Sequence, residues 1–179
     1  GFYTACMRRS RFLRAMLAIP AILFASGCGI YSFSGSSLPN HIKSIAVPIL
    51  KNETLEYDVA NEITAAVTQR FIQDGRLQIV GEKRADCVLE ARVIAYENKV
   101  HNYSADQSPE DYIVVLRVGA TLHDAAKNRD LWKDDQITVS AVYSVTAGQD
   151  QPLTDERSAR AKAITDLAED ILARTMEQW

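Results

Sequence analysis

The apolar residues between positions 57 and 74 follow the period of a helix, because they recur at every fourth position with polar residues between them. The recurring residues are Val59, Ile63, Val67 and Phe71. Gly75 follows directly, where a left-handed residue commonly ends a helix. The pattern therefore predicts an amphipathic helix over 57–74 with one apolar face.

A second helix is predicted near the end of the chain. Thr154 is a suitable N-cap, and the helix is expected to continue to about position 178. Its apolar stripe consists of Ala163, Ile164, Leu167, Ala168, Ile171, Leu172 and Thr175. Because each predicted helix has a single apolar stripe, each is expected to pack on one partner layer.

Shorter segments alternate between apolar and polar residues, which is typical of strands. The predicted strands are 42–49, 77–80, 86–98, 112–123 and 131–143. A polar loop is expected over 99–111. In the third strand, strict alternation predicts one face with Cys87, Leu89, Ala91, Val93 and Ala95. The other face is then predicted to carry Val88, Glu90, Arg92, Ile94 and Tyr96.

The element order β-α-β-β-β-β-α predicts an α+β fold. We expect a two-layer sandwich, with both helices packed on one face of a mixed four- to five-stranded sheet. The first strand, first helix and second strand form a βαβ unit, which makes those two strands parallel. Residues 42–179 are predicted to form this single domain.

The first 27 residues have the three regions of a secretory signal peptide. Arg8, Arg9, Arg11 and Arg14 form a basic region, and an apolar run over 15–25 follows. That run is too short for a membrane-spanning helix, which needs about 20 residues. Residues 1–6 fit no part of a signal peptide. We interpret them as a misassigned start or a cloning scar before Met7.

The signal peptide ends in Ala25-Ser26-Gly27-Cys28, which resembles the lipobox of bacterial lipoproteins. The resemblance implies cleavage before Cys28, transfer of diacylglycerol to its sulfur and acylation of the new N-terminus, which together give stable membrane anchoring. Ala25 departs from the usual Leu or Val. The alternative is an ordinary signal peptide with a chance cysteine. Residues 28–41 are predicted to be a lipidated tether.

Composition excludes several classes of protein. A net charge of -3 and a pI near 5.6 disfavour nucleic-acid binding. After lipidation of Cys28, Cys87 has no partner for a disulfide in the mature chain, and its apolar strand indicates an inert core residue. His41, His101 and His123 lack metal-ligand spacing. We find no catalytic motif, so neither an enzyme nor a cofactor is predicted.

Two arginines on neighbouring predicted strands are the candidate binding residues. Arg92 and Arg117 are expected on the outer sheet face beside Tyr96, Ile113 and Val115. A sheet face that mixes guanidinium, aliphatic and aromatic groups can serve as an interaction surface, and arginine suits phosphate and carboxylate groups. The alternative is cross-strand pairing with Glu90 on a solvated surface.

Several segments together resemble the lipopolysaccharide-assembly lipoprotein family, LptE, from about Cys28 to Trp179. The segments are Gly27-Cys28-Gly29, SSLPNHIKSIAVPILKNET, FIQDGRLQIV, ADCVLEARVIAYE, LWKDD and the final helix. The resemblance implies an α/β lipoprotein anchored at the periplasmic face of the outer membrane. Gly29, where an inner-membrane lipoprotein would carry Asp, is consistent with that address.

The same resemblance implies the partners: lipopolysaccharide, and the LptD-type β-barrel that delivers it to the cell surface and that the lipoprotein plugs. It transfers no ligand residue to this chain. The candidate contacts with lipopolysaccharide or the barrel are therefore Arg92, Arg117 and Tyr96, which the strand pattern selected. The alternative is another envelope lipoprotein with a similar opening, such as a curli-type secretion lipoprotein or a Tol-type scaffold. An enzyme is a third and more distant class.

Overall fold

The computed structural model describes residues 38–145 and 155–177, and all elements below lie in these ranges. The predicted signal peptide, Cys28, most of the predicted tether and the predicted N-cap Thr154 lie outside them. The elements are β1 (Ser44–Ala46), β2 (Lys51–Asn52), α1 (Val59–Asp74), β3 (Gln78–Ile79), a 3-10 helix (Glu82–Arg84), β4 (Cys87–Tyr103), β5 (Pro109–Asp124), β6 (Arg129–Ser144) and α2 (Glu156–Glu177).

The strands form one mixed sheet in the order β3-β1-β4-β5-β6. β1 is parallel to both β3 and β4, and the short β2 is also parallel to β4. β4, β5 and β6 are successive antiparallel neighbours. The mixed sheet was predicted, whereas β2 was not, because its two residues lie in a segment that reads as a turn.

Both helices pack on the same face of this sheet. Val59, Ile63, Val67 and Phe71 of α1 are fully buried in one core cluster with Leu89 and Val93 of β4, Leu116 and Val118 of β5, and Leu167 and Ile171 of α2. Each such side chain contributes roughly 1.5–3 kcal/mol when it is removed from water. The predicted two-layer α+β sandwich is therefore confirmed.

Capping hydrogen bonds at Gly75 and Asp155 determine where α1 ends and where α2 begins. Gly75 has φ 72°, and its N–H donates to the carbonyl of Phe71 at 3.1 Å, as the predicted left-handed cap requires. At the start of α2, the amide of Ser158 donates to Asp155 Oδ1 at 2.7 Å. This hydrogen bond also lowers the pKa of Asp155. Asp155 therefore caps the orphan amides of α2.

The hairpin between β4 and β5 is shorter than the predicted loop over 99–111. β4 continues to Tyr103, and β5 already begins at Pro109. Val100 pairs with Tyr112, and Asn102 pairs with Asp111 through a 3.0 Å side-chain hydrogen bond. These end segments are polar because both of their faces are exposed, so they lack the alternation that reveals a half-buried strand.

A β-bulge in β4 reverses the predicted facing of the residues that follow it. Val93 pairs with Val118 and Ala95 pairs with Arg117, so Ile94 is an extra residue in β4. From Ala95 onward the alternation is shifted by one. Tyr96 therefore lies on the face covered by the helices, and its predicted position on the outer face was wrong.

The core contains Cys87, a free cysteine. Cys87 is fully buried, and burial, with the charges of Asp86 and Asp124, raises the pKa of its thiol to about 12. The thiol therefore stays protonated and unreactive, in agreement with its interpretation as a core residue.

Within 38–145 and 155–177, no helix has both the length and the apolarity that crossing a bilayer requires.

The helix stripes generate a stability prediction. Phe71→Ala and Leu167→Ala should each lower the free energy of unfolding by about 2–5 kcal/mol, because each leaves a cavity in the core. Ile72→Ala is the matched control: Ile72 is 55% exposed on the same helix as Phe71, and the change should cost less than about 0.5 kcal/mol. Urea titration measures all three. Equal losses for Phe71 and Ile72 would contradict the assigned helix face.

Candidate functional site

Among the described residues, no α-helix packs on the sheet face opposite α1 and α2, and we call it the open face. Successive side chains of a strand point to opposite faces of the sheet, so the residues between the core-facing ones lie on the open face. Arg92 of β4 and Arg117 of β5 both lie on it, as predicted, and their Cα atoms are diagonal neighbours about 7–8 Å apart. Ile113, Val115 and Val142 continue the same face toward the β4–β5 hairpin.

Arg92 lies over the only residue of β5 that can accommodate it. Gly119 is its cross-strand partner, and a Cβ on Gly119 would stand 3.2 Å from Arg92 Cζ and 3.0 Å from the carbonyl oxygen of Asp135. A side chain at position 119 would displace either the guanidinium or the backbone of β6. The absence of a side chain at Gly119 therefore leaves room for the guanidinium of Arg92 at its present position.

The guanidinium of Arg92 retains open donors. Its nearest acids are Glu53, at 3.9 Å from Nε, and Asp135, at 3.7 Å from Nη2. Both distances are too long for hydrogen bonds. The side chain is 43% exposed. These loose pairs orient Arg92 and leave its N–H groups available to a phosphate or carboxylate.

Arg117 already forms an ion pair. Its Nη2 donates to Glu97, which lies on the next strand. Hydrogen bonding from Lys99, together with the charges of Arg117 and Lys99, lowers the pKa of Glu97. The alternative pairing with Glu90 does not occur, because Arg117 stands opposite Ala95 and Glu90 stands opposite Thr121. Of the two predicted arginines, Arg92 is the one whose guanidinium is not hydrogen-bonded to an acid of the described residues.

A groove of about 250 Å³ lies beside Arg92 on the open face. The 3-10 helix and the segment between β1 and β2 form one wall, and β4 and β5 form the floor. The groove is lined by Pro48, Ile49, Lys51, Glu82, Val88, Glu90, Ala91, Arg92, Gly119 and Thr121. It combines two cations, Lys51 and Arg92, and two carboxylates, Glu82 and Glu90, with an aliphatic wall. An anionic group with a hydrocarbon part fits this groove only through direct contact with the cations, because the lining has no net positive charge.

Sequence reasoning missed the wall that contains Ile49 and Lys51. Ile49 is 72% exposed, although strand alternation predicted it to share a face with Ile45 and Val47. The parallel pairing stops after Ala46 and resumes at Lys51, so the connection leaves the sheet and rises beside the groove. Pro48, which cannot donate a ladder hydrogen bond, was the one signal of this interruption.

Tyr96, the third predicted contact residue, lies away from this site. Its hydroxyl donates to Glu156 Oε1 at 2.7 Å, and the guanidinium of Arg160 stands 5.1 Å from its ring centroid. Burial, followed by the hydrogen bond and charge of Glu156, raises the pKa of Tyr96. Tyr96 thus ties β4 to α2 and is separated from Arg92 and Arg117 by the sheet. Cys28, the predicted lipidation residue, lies outside the described residues.

The described residues offer binding groups and no recognisable metal centre. Within 38–145 and 155–177, no group of three or more His, Cys, Asp or Glu side chains is arranged to hold an ion. His41 bonds Asp124 at 2.9 Å and His123 bonds Asp130 at 2.9 Å, each at a different place. What the open face can do chemically is to hold an anion against apolar surface.

Solved structures share this fold at low sequence identity. The PelC dodecamer from Paraburkholderia phytofirmans aligns with a TM-score of 0.51 and 17% identity, over 82% of this chain and 95% of that one. Lipoprotein B from Nitrosomonas europaea aligns with a TM-score of 0.53 and 17% identity, over 84% and 90% of the two chains. At such identities, the likeness shows the fold alone.

The sequence comparisons are more specific. No curated protein matches the chain significantly. The family model of LptE, described as lipopolysaccharide-assembly, matches residues 42–175, from two residues before β1 almost to the end of α2. That match spans most of the chain and confirms the resemblance seen in its sequence segments. The chain belongs to the lipopolysaccharide-assembly family LptE.

Proposed function

We propose that this protein is the lipid-anchored outer-membrane subunit of a lipopolysaccharide-transport complex. It plugs an LptD-type β-barrel, assists assembly of that barrel and promotes delivery of lipopolysaccharide to the cell surface. The observation that carries the proposal is the family match over 42–175, which covers both layers of the sandwich. The signal peptide and lipobox ahead of this region support the periplasmic, lipid-anchored location. In this role the protein binds and does not catalyse.

The open face provides the binding surface in this proposal. Lipid A carries phosphates, and a guanidinium meets a phosphate with two parallel hydrogen bonds. Arg92 has donors free for that contact, and Lys51 adds a second cation to the same groove. The aliphatic groups of Ile49 and Val88 lie beside them and suit acyl chains. Because the protein is acidic overall, its attraction for phosphate has to be local.

A secretion lipoprotein that forms a ring is the second candidate. The observation in its favour is the likeness to PelC, whose structure is a dodecamer. The two candidates differ in what the protein assembles with. The lipopolysaccharide-transport subunit assembles with a β-barrel formed by a different protein. The secretion lipoprotein assembles with copies of its own chain.

Anchoring is tested at Cys28. Cys28→Ser should abolish incorporation of labelled palmitate and release the protein into the soluble periplasmic fraction, because the sulfur that accepts the lipid is gone. Cys87→Ser is the matched control and should still be labelled, since Cys87 is buried in the core. Palmitate incorporation by the Cys28→Ser protein would show that the lipobox interpretation is wrong.

Partner identity is tested by extracting the membrane-bound protein in mild detergent and identifying what co-purifies. We expect a large β-barrel of the lipopolysaccharide-transport type in stoichiometric amount. Depletion of the protein should also reduce lipopolysaccharide at the cell surface. A homogeneous ring of this chain alone, with unchanged surface lipopolysaccharide, would reject the proposal in favour of the secretion candidate.

The open face is tested with Arg92→Glu/Arg117→Glu. The double variant should bind lipopolysaccharide or the barrel roughly 10- to 100-fold more weakly, because charge-assisted hydrogen bonds are lost. Its melting temperature should stay near that of the parent, since both side chains are partly exposed. Arg92→Gln alone should account for more of the loss than Arg117→Gln, whose guanidinium is held by Glu97.

Arg157→Glu is the control for that experiment. Arg157 is exposed on α2 and remote from the open face, so its reversal should change neither partner affinity nor melting temperature. If the double variant melts normally and binds both partners like the parent, the open face is a solvated surface and has no part in binding.

A further inference from the structure

The loop between β2 and α1 exposes two large apolar side chains to solvent. Leu55 is 93% exposed and Tyr57 is 91% exposed, whereas Ile49, the next in exposure among the large apolar residues of 38–145 and 155–177, is 72% exposed. Values this high mean that no described residue shelters either side chain. We call residues 53–58 the protruding loop.

Internal hydrogen bonds fix the conformation of this loop. Asn52 Oδ1 accepts from the amide and the hydroxyl of Thr54, at 3.0 and 2.8 Å. Asn52 Nδ2 donates to the carbonyl of Glu56 at 2.7 Å, and the amide of Glu56 donates to Thr54 Oγ1 at 3.2 Å. The two apolar side chains are therefore presented by an ordered backbone, so that docking them costs little additional conformational entropy.

The protruding loop is also tied to the sheet and to α2. The amide of Glu53 donates to the carbonyl of Val93 in β4 at 3.0 Å. Glu56 lies 3.6 Å from Nη1 of Arg160 in α2, and Nε of the same arginine donates to Glu62 at 2.8 Å. The loop is thus fixed to both layers of the domain, and a force on its tip is carried by the whole fold.

The charges around the protruding loop do not attract an anionic ligand. The loop itself carries no cation and three exposed acids, which are Glu53, Glu56 and Asp58. Three cations lie beside these acids and match them in number, which are Lys51, Arg92 and Arg160. The surroundings of the two apolar side chains therefore have no net positive charge. An anionic lipid headgroup gains no attraction there, and a protein surface is the better partner.

The shape of the loop distinguishes a second copy of this chain from a larger partner. Stable protein interfaces bury about 1,200–2,000 Å² in total. Two protruding loops that meet tip to tip bury only a few residues each, which falls short of that area. A concave surface can enclose both side chains, and the lumen of a β-barrel is concave. Tyrosine is also among the residues that dominate the binding energy of protein interfaces.

We propose that the protruding loop docks into an apolar pocket on the inner wall of the barrel subunit, with Leu55 and Tyr57 as its anchors. The inference rests on the function proposed above, which supplies a partner that encloses the domain. The loop precedes α1, whereas the N-terminal segment leads into β1 beside β3, which follows the other end of α1. Because α1 is about 24 Å long, the loop and the lipidated segment hold the domain at two separate points.

Photo-crosslinking in intact cells identifies the occupant of this contact. The photoreactive residue p-benzoylphenylalanine replaces Tyr57 in the full-length, lipidated protein, and adducts are separated after irradiation. We expect an adduct between this chain and the barrel subunit, recognised by antibodies against both. An adduct of two copies of this chain, an adduct with lipopolysaccharide in place of the barrel, or no adduct at all would overturn the inference.

A double variant measures the contribution of the two anchors. Leu55→Ser/Tyr57→Ser should bind the detergent-solubilised barrel roughly 30-fold more weakly or worse, because both buried anchors of the interface are lost. Its melting temperature should stay near that of the parent, since neither side chain contacts the core.

Ile72→Ser is the matched control, because Ile72 is an exposed apolar residue near the other end of α1. It should leave barrel binding unchanged. If the double variant binds the barrel like the parent, or if the control loses as much affinity, the inference about the loop is wrong while the proposed function stands. If the parent protein itself binds no barrel, both are wrong, so the two failures give different results.

Discussion

The pairing of β4, β5 and β6 is the constraint on which the rest of this structure depends. These three strands are long and antiparallel, so each presents alternate residues to two faces over its whole length. The two helices cover one face and bury its apolar residues in two adjoining clusters. Because residues 38–145 and 155–177 build no third layer, no helix of these residues covers the other face of the sheet. The open face is exposed because both helices pack on the opposite face of the sheet.

Irregularities in that pairing shape the open face. The extra residue Ile94 shifts the phase of β4, which sends Tyr96 to the helices and Ala95 outward. On the opposite strand, the register between β5 and β6 breaks around Gly119, and the carbonyl of Asp135 approaches it. The space above Gly119 is then filled by the guanidinium of Arg92. Bulges commonly re-aim side chains near functional surfaces, and here they separate a tyrosine from an arginine.

The helices were predictable because each buries one stripe, which leaves a periodic signal such as Val59 to Phe71. The strands were predictable where one face is buried, and their ends were not, since residues such as Asn102 and Asp111 are polar on both faces. The facing of Tyr96 was unpredictable for a different reason. Nothing local marks Ile94 as an insertion, and only its pairing with β5 reveals it. The groove wall at Ile49 and Lys51 likewise depends on where parallel pairing stops.

The difference between Arg92 and Arg117 explains why shared placement on a face does not give two residues equal roles. A ligand phosphate that recruits Arg117 has to compete with Glu97, and the separated carboxylate must then be solvated again. Arg92 is held by two acids that are both beyond hydrogen-bonding distance, so it gives up little when a phosphate arrives. The same acids keep the guanidinium extended over Gly119 in the absence of ligand. Loose pairing therefore preorganises Arg92 while leaving its donors free, and on this ground we expect Arg92 to bind a phosphate more strongly than Arg117 does.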